Sequence, residues 1–393
     1  MSRFHSYINS ATTILESYHG DKPFAIYLKQ YFASNKRFGS NDRKQVAALC
    51  YNYFRLGKAA SNSNMTEKLL LGAFLCEQEF SKLLDNLKPE WNEHIGESLS
   101  QKTNLVADFF KLTDIFPFRE KLSAGIDHER FCTSFLVQPS VFLRIRPAAT
   151  SVVEKKLSKS GLSFEFIGDD CVQLPPATNV EEYLSIDKEV VIQDHSSQQV
   201  LNFLKPSSSQ SSLLKTPFDS WDCCAASGGK SILLKDIFNK QVSLTISDIR
   251  ASIILNLHQR FKRAGIKEYK YFISDISQPD FMPVSSEYDL VLCDAPCTGS
   301  GTWSRTPEQL HFFKEPAITH YSELQRKIVS QSFPHLRSDG LFVYITCSVF
   351  RQENEEMTRF IREDLSAELL FEEVLKGYSI KADSMYVSVF RKK

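Results

Sequence analysis

Residues Asp294 to Glu308 read DAPCTGSGTWSRTPE, and the run leading into them, Tyr288-Asp-Leu-Val-Leu-Cys293, is short and apolar. Such a run suits a strand buried on both faces, as in a parallel sheet covered by helices. A carboxylate, a proline that bars helical continuation, a cysteine and glycines at 299 and 301 follow at once. The strand is therefore expected to end abruptly and to carry Asp294 and Cys297 on a loop at its C-terminal tip, the edge of an open α/β sheet where ligands bind. A second thiol stands in an equivalent place. Leu341-Phe-Val-Tyr-Ile345 reads as another buried strand, closed by Thr346-Cys347-Ser348. Two cysteines at the tips of two core strands can share one pocket.

Upstream, Ser220-Trp-Asp-Cys-Cys-Ala-Ala-Ser-Gly-Gly-Lys-Ser231 turns from strand to helix through small residues and two glycines. A turn of this kind exposes backbone N–H groups and lets a ligand approach closely. It is not a Walker loop, because Cys224 stands where the first glycine belongs, and it is not G-x-G-x-x-G. Val242 to Ser247 is a second expected strand, ending in Asp248 about twenty residues past the glycines, where an acid accepts ribose hydroxyls in nucleotide-type sites. Tyr269 to Ser274 is a third, ending in Asp275. Any one of Asp222, Asp248, Asp275 and Asp294 alone reads as a helix cap. Four acids at successive strand ends point instead to a bound nucleoside. S-adenosyl-L-methionine fits, having a ribose and an adenine but no phosphate that demands a P-loop.

The remaining sequence bounds the class. With 393 residues the chain has room for two or three domains. Its 47 basic and 47 acidic residues exclude a polybasic nucleic-acid binder, so any RNA contact comes from local patches. Nine cysteines with no even framework and no C-x-x-C argue for reduced thiols, against a disulfide scaffold or a zinc site. MSRFHSYINS lacks an apolar signal core and no run approaches about 18 apolar residues, so we expect a soluble cytoplasmic protein, a monomer with no membrane and no metal partner. Phe4, Tyr7, Ile8, Ala11, Ile14, Leu15 and Tyr18 recur at helical spacing, Pro23 and Gly39-Ser40 open further helices, and a helical bundle is expected to about residue 128. Lys36, Arg37, Arg43, Lys44 and Arg55 beside the 34–43 connection read as a solvated face or a phosphate contact. Residues 129–193 suit a small α+β unit whose Arg144, Arg146, Lys155, Lys156 and Lys159 make it the best candidate for an RNA-contacting surface, with ordinary surface charge as the alternative. A helix is expected over Gln198 to Leu204, then a polar linker, KPSSSQSSLLKTPF (205–218). Over 194–393, strands and helices alternate as in a Rossmann-like α/β domain.

These motifs together resemble the RNA 5-methylcytosine methyltransferases of the Sun/Nop group, most closely its RsmB-like branch. CAASGGKS (224–231) is similar to the family's CAAPGGKT, DAPCTGSGTWSRTPE to DAPCSGxG…R.P, YITCSVFRQENEE (344–356) to YsTCS…ENE, and VIQDHSSQ (191–198) to VQDxASQ. YLKQYFASNKRFGSNDRKQVA (27–47) looks like the family's NusB-like helical N-terminus. The sequence departs from the pattern at Ser227, where the family has proline, at Ile253, where a basic residue often stands, and at DSMYVSVF (383–390), where glycine and aromatics are usual. The first two bear on cofactor affinity and the third on pocket closure.

The resemblance implies an all-α N-terminal domain, a small RNA-binding α+β module and a Rossmann-like catalytic domain that methylates carbon 5 of cytosine in RNA. The implied substrate is 16S ribosomal RNA, with transfer RNA as the alternative. It implies that Cys347 is the nucleophile, that Cys297 assists product release and that Asp294 holds the base; composition alone does not choose between the thiols. Cys224, Ala225, Ala226, Ser227, Gly228, Gly229, Lys230, Asp248, Asp275 and Asp294 are then the expected cofactor residues. Arg305 is expected to meet substrate phosphate, and Glu353 and Asn354 to cap or brace the loop after Cys347. A DNA cytosine methyltransferase, which uses a Pro-Cys nucleophile alone, is disfavoured by the second thiol. A catalytically silent RNA-binding or assembly factor is disfavoured by the presence of both cysteines and Asp294.

Overall fold

The run expected as the central buried strand, Tyr288–Asp294, lies in the middle of a seven-stranded sheet. Its members are β5 (Phe218–Asp222), β6 (Val242–Asp248), β7 (Lys270–Ile273), β8 (Tyr288–Asp294), β9 (Leu336–Thr346), β10 (Glu368–Leu375) and β11 (Met385–Arg391), in the order β10-β11-β9-β8-β5-β6-β7. The pairs of β5 with β6 and β8, of β6 with β7 and of β8 with β9 are parallel, whereas β11 is antiparallel to both of its neighbours. The chain runs outward from β5 to β7 and then returns to the other side of β5 as β8. That reversal opens a crevice at the carboxyl ends of β5 and β8.

Alternation along β8 and β9 explains why both strands read as apolar throughout. Leu290, Leu292, Leu341, Val343 and Ile345 enter the core on one face of the sheet. Val291, Cys293, Phe342 and Tyr344 enter the core on the other, beside Trp221 and Tyr288. Burying each such large side chain contributes about 1.5–3 kcal/mol, so a polar residue at any of these positions would be costly.

The computed structural model describes residues 3–205, 213–238, 241–281 and 287–393. Of the polar linker expected at 205–218, residues 206–212 lie outside the described residues. The helix expected over Gln198 to Leu204 starts earlier and is interrupted. Asp194 accepts from the Ser196 N–H and caps a short helix, His195–Gln199, and a 3-10 turn, Asn202–Leu204, follows.

The chain packs as two units. One comprises Met1–Glu120, Asp127–Gln138 and Thr302–Lys314; the other comprises Lys121–Ile126, Pro139–Gly301 and Glu315–Lys393. The first is helical. Arg3–Ser17 buries Tyr7, Ile8, Ala11, Ile14 and Leu15; Phe24–Ser34 and Ser40–Arg55 follow at the expected starts. Arg55, expected on a solvated or phosphate-contacting face, is instead 5% exposed. Its Nη1 donates to the carbonyls of Phe135, Val137 and Ser304, so it braces this unit from within. Thr302–Lys314 belongs here although it follows the DAPC motif directly, and Trp303 packs against Phe116 and Phe313.

Residues 139–193 fold within the second unit rather than apart from it. They form an antiparallel sheet of β1 (Val141–Ile145), β2 (Glu165–Ile167), β3 (Cys171–Leu174) and β4 (Val190–Ile192), in the order β2-β3-β1-β4. No helix among the described residues is long and apolar enough to cross a membrane.

Candidate active site

Asp294 and Ile345 are level partners at the ends of β8 and β9. Just past them the Sγ atoms of Cys297 and Cys347 lie 3.3 Å apart, both thiols free and half-buried. Contact with the Cys347 sulfur, followed by burial, pushes the Cys297 thiol well up from its ordinary value. Cys297 thus keeps its proton at neutral pH.

Three backbones meet here. The Gly301 N–H donates to the Cys347 carbonyl at 2.8 Å, and the Ser384 N–H donates to the Gly301 carbonyl at 2.9 Å. A Cβ on Gly301 would sit 2.0 Å from the Ser384 oxygen, so the second glycine of the motif is a steric requirement of the thiol pair. Glu353, fully buried, clamps both cysteine loops with one carboxylate. It accepts from the Thr298 N–H (2.9 Å) and Oγ1 (2.6 Å) beside Cys297, from Ser348 Oγ (2.5 Å) beside Cys347, and from Gln325 Nε2 (3.2 Å). Burial raises its carboxyl against the pull of these bonds. Asn354 accepts from Thr346 Oγ1 and donates to the Ser348 carbonyl and to Ser123 Oγ. The bracing by Glu353 therefore holds the Cys297 loop as well as the Cys347 loop.

Lys230, in the first turn of the helix Gly229–Phe238, reaches across to Asp294 with Nζ 2.6 Å from Oδ2. Burial disfavours its ammonium, but the Asp294 charge and hydrogen bond outweigh that and raise it. Asp222 lies beneath. Its Oδ2 accepts from Ser231 Oγ at 2.6 Å, its Oδ1 is buried without a partner, and burial pushes the carboxyl up to about 7. With the native value above the unfolded 3.8, Asp222 contributes its full stability below about pH 4 and loses it as pH rises through about 7. Asp222→Asn keeps the Ser231 bond and removes the ionisation. Its stability relative to the parent is expected to rise between pH 4 and 7.5, by up to about 4 kcal/mol. Thermal melts across that range check this, and a pH-independent difference would contradict it.

The turn after β5 forms as its small residues suggest. Ala225 N–H bonds the Ser247 carbonyl, Ala226 takes φ +46° and donates to Asp248, and Gly228 takes φ +80° with Phe261 and Leu257 packed where a Cβ would go. At Gly229 an added Cβ would meet Gln193 Nε2 at 3.9 Å, an ordinary contact. Ser227, the departure from proline, is anchored differently: Arg260 Nη1 donates to its carbonyl and its Oγ, while Arg260 also pairs with buried Asp187. Cys224 shares hydrogen bonds with the Cys223 and Cys293 thiols, which draw it down from its ordinary value. Asp222, Asp248 and Asp294 end their strands as expected. Asp275 stands two residues beyond β7, its carboxylate engaged by Ser277 and Gln278 of its own turn. Ile249, 57% exposed, offers an apolar wall beside Asp248. The uncrowded backbone at Gly229, the unpartnered Asp222 oxygen, Asp248 and Ile249 fit a nucleoside.

The arginines expected to face RNA do not. Arg144 is 2% exposed, its Nη1 on Asp236 and its Nε on Gln193. Arg146 donates to Asp236 and to the carbonyls of Asp187 and Ala264. Breaking a buried pair of this kind costs about 3–5 kcal/mol, so both serve to seat the small sheet against the helix bearing Asp236. The alternation that marks a strand cannot show that its polar face is covered. Arg305 lies in the 302–314 segment of the helical unit.

A family model described as 16S rRNA methyltransferase RsmB/F matches residues 213–390, the stretch that carries this loop, both thiols and Glu353. Over residues 213–390 the chain is similar to the RsmB/F methyltransferases. A probable ribosomal RNA small subunit methyltransferase B of Bacillus subtilis is 28% identical over 261 residues, 64% of this chain and 57% of its own length. The chain spans about half the length of the curated relatives it matches. The crystal structure of PH0851 shares the fold over 99% of this chain and 98% of its own, at 17% identity and a TM-score of 0.71. That of NSun6 from Pyrococcus horikoshii with SFG covers 72% and 96%, at 14% identity and 0.59. Within this matched stretch, sequence reasoning passed over Gln325, fully buried, whose Nε2 joins the Pro296 carbonyl to Glu353. Its helix position is polar at a core-facing turn, a mismatch that is a signal in itself. Arg250, paired with Asp248, was missed as well.

Proposed function

We propose that this protein transfers a methyl group from S-adenosylmethionine to carbon 5 of cytosine in RNA, with small-subunit ribosomal RNA as the substrate. The observation that carries this reading is the pair of sulfurs 3.3 Å apart beside the Lys230–Asp294 pair. Carbon 5 of cytosine is a poor nucleophile until a thiolate adds to carbon 6 and makes the ring an enamine. Cys347 is the attacking thiol, and Cys297, which keeps its proton, is positioned to assist at the release step. Asp294, hydrogen-bonded to Lys230 Nζ, is the group to hold ring nitrogen 3 and to stabilise the charge that develops there. The 224–230 loop and Asp248 would hold the donor, which would supply the methyl group and leave as S-adenosylhomocysteine; loss of the carbon 5 proton then expels the Cys347 sulfur from carbon 6 and restores the ring. Glu353 keeps the two thiols at working distance, which is a positioning role.

Incubation of the protein with labelled S-adenosylmethionine and unmodified 16S ribosomal RNA, transfer RNA or duplex DNA tests this. Label is expected in 5-methylcytosine of the ribosomal RNA. Transfer confined to transfer RNA would change the substrate, transfer confined to DNA would refute the reading, and binding without transfer would favour a silent RNA-binding factor.

A further inference from the structure

The carboxylate that suits a ribose is already in use. Asp248 has a side chain 6% exposed, and its oxygens accept from four donors: the Ala226 N–H (3.1 Å), the Arg250 N–H (2.9 Å), and Arg250 Nε (3.0 Å) and Nη2 (3.2 Å). A carboxylate offers about four lone-pair sites, so none is left for a pair of hydroxyls. Two of the donors are backbone groups, fixed by the turn after β5 and by the start of the helix Ala251–Ala264. The other two belong to one side chain that is 57% exposed and can rotate into solvent. A guanidinium edge spans the two oxygens of a carboxylate, and so do the two hydroxyls of a vicinal diol.

We propose that Arg250 is a displaceable occupant of the ribose subsite: its guanidinium holds Asp248 in place of the diol and must swing out for the methyl donor to bind. The inference rests on the nucleoside reading of this crevice. It makes Arg250 a determinant of donor affinity, because binding exchanges one partner of Asp248 for another instead of filling an open acceptor. The arginine also keeps the buried carboxylate paired between turnovers, which spares the fold an uncompensated charge.

Isothermal titration of the full-length protein and of Arg250→Ala and Arg250→Lys with S-adenosylmethionine and S-adenosylhomocysteine tests this. Arg250→Ala is expected to bind both ligands about three- to tenfold more tightly. Arg250→Lys, which keeps the charge but lacks the fork, is expected to fall between the parent and the alanine variant. Tightening for S-adenosylmethionine alone would mean relief of repulsion from its sulfonium and would overturn the proposal. Unchanged or weaker binding of both would overturn it too. If the parent and both variants bind neither ligand, the nucleoside reading itself fails, an outcome distinct from a change confined to Arg250.

Discussion

Cys347→Ala is expected to abolish methyl transfer, by a factor on the order of 10⁴ or more, while the protein remains folded and still binds S-adenosylhomocysteine. A nucleophile is not replaced by its neighbours, because the rest of the site binds and polarises the base without supplying the bond to carbon 6. The Cys297 sulfur, though 3.3 Å away, keeps its proton and is held on a different loop. The loop after β9 should survive the change. Apart from the contact of its thiol with Cys297, its hydrogen bonds run through the Cys347 carbonyl, Ser348 and Asn354. Single-turnover transfer with labelled donor, set beside a thermal melt and a titration, separates lost chemistry from lost structure. Retention of more than about a tenth of the activity would remove Cys347 from the nucleophile's role.

Cys297→Ala is expected to give the opposite phenotype: one round of addition and methylation, then a covalent protein–RNA species that survives denaturing electrophoresis. If Cys297 assists in ejecting the product, its loss leaves the carbon 6–sulfur bond in place. The adduct should carry the label from the donor and should vanish in the double variant with Cys347→Ala. A stable adduct formed by the Cys347 variant instead would exchange the two roles. No adduct from either would mean that release does not depend on the second thiol.

How much of this was legible beforehand differs from residue to residue. The buried runs ending in Asp294 and Thr346 announced strands, because a strand covered on both faces has no polar side to show. The turn at 224–230 was equally plain, since glycine at 228 takes φ +80° without strain and the small residues around it leave the backbone open. Arg144 and Arg146 were misleading for a related reason. A polar face alternating along β1 looks solvated in sequence, and only Asp236, about 90 residues away, shows that it is covered. Arg55 was misread in the same way.

Local sequence, then, determined where strands stop, which loops carry sulfur and acid, and which turns need small residues, because these depend on a residue's immediate neighbours and on burial along its own element. The tertiary structure decided which of those loops meet. Strand order brings Cys297 beside Cys347 across 50 positions, lets one carboxylate at 353 grip both loops, and sets Arg250 on Asp248. Such contacts depend on distances between elements, and no periodicity within a single element encodes those.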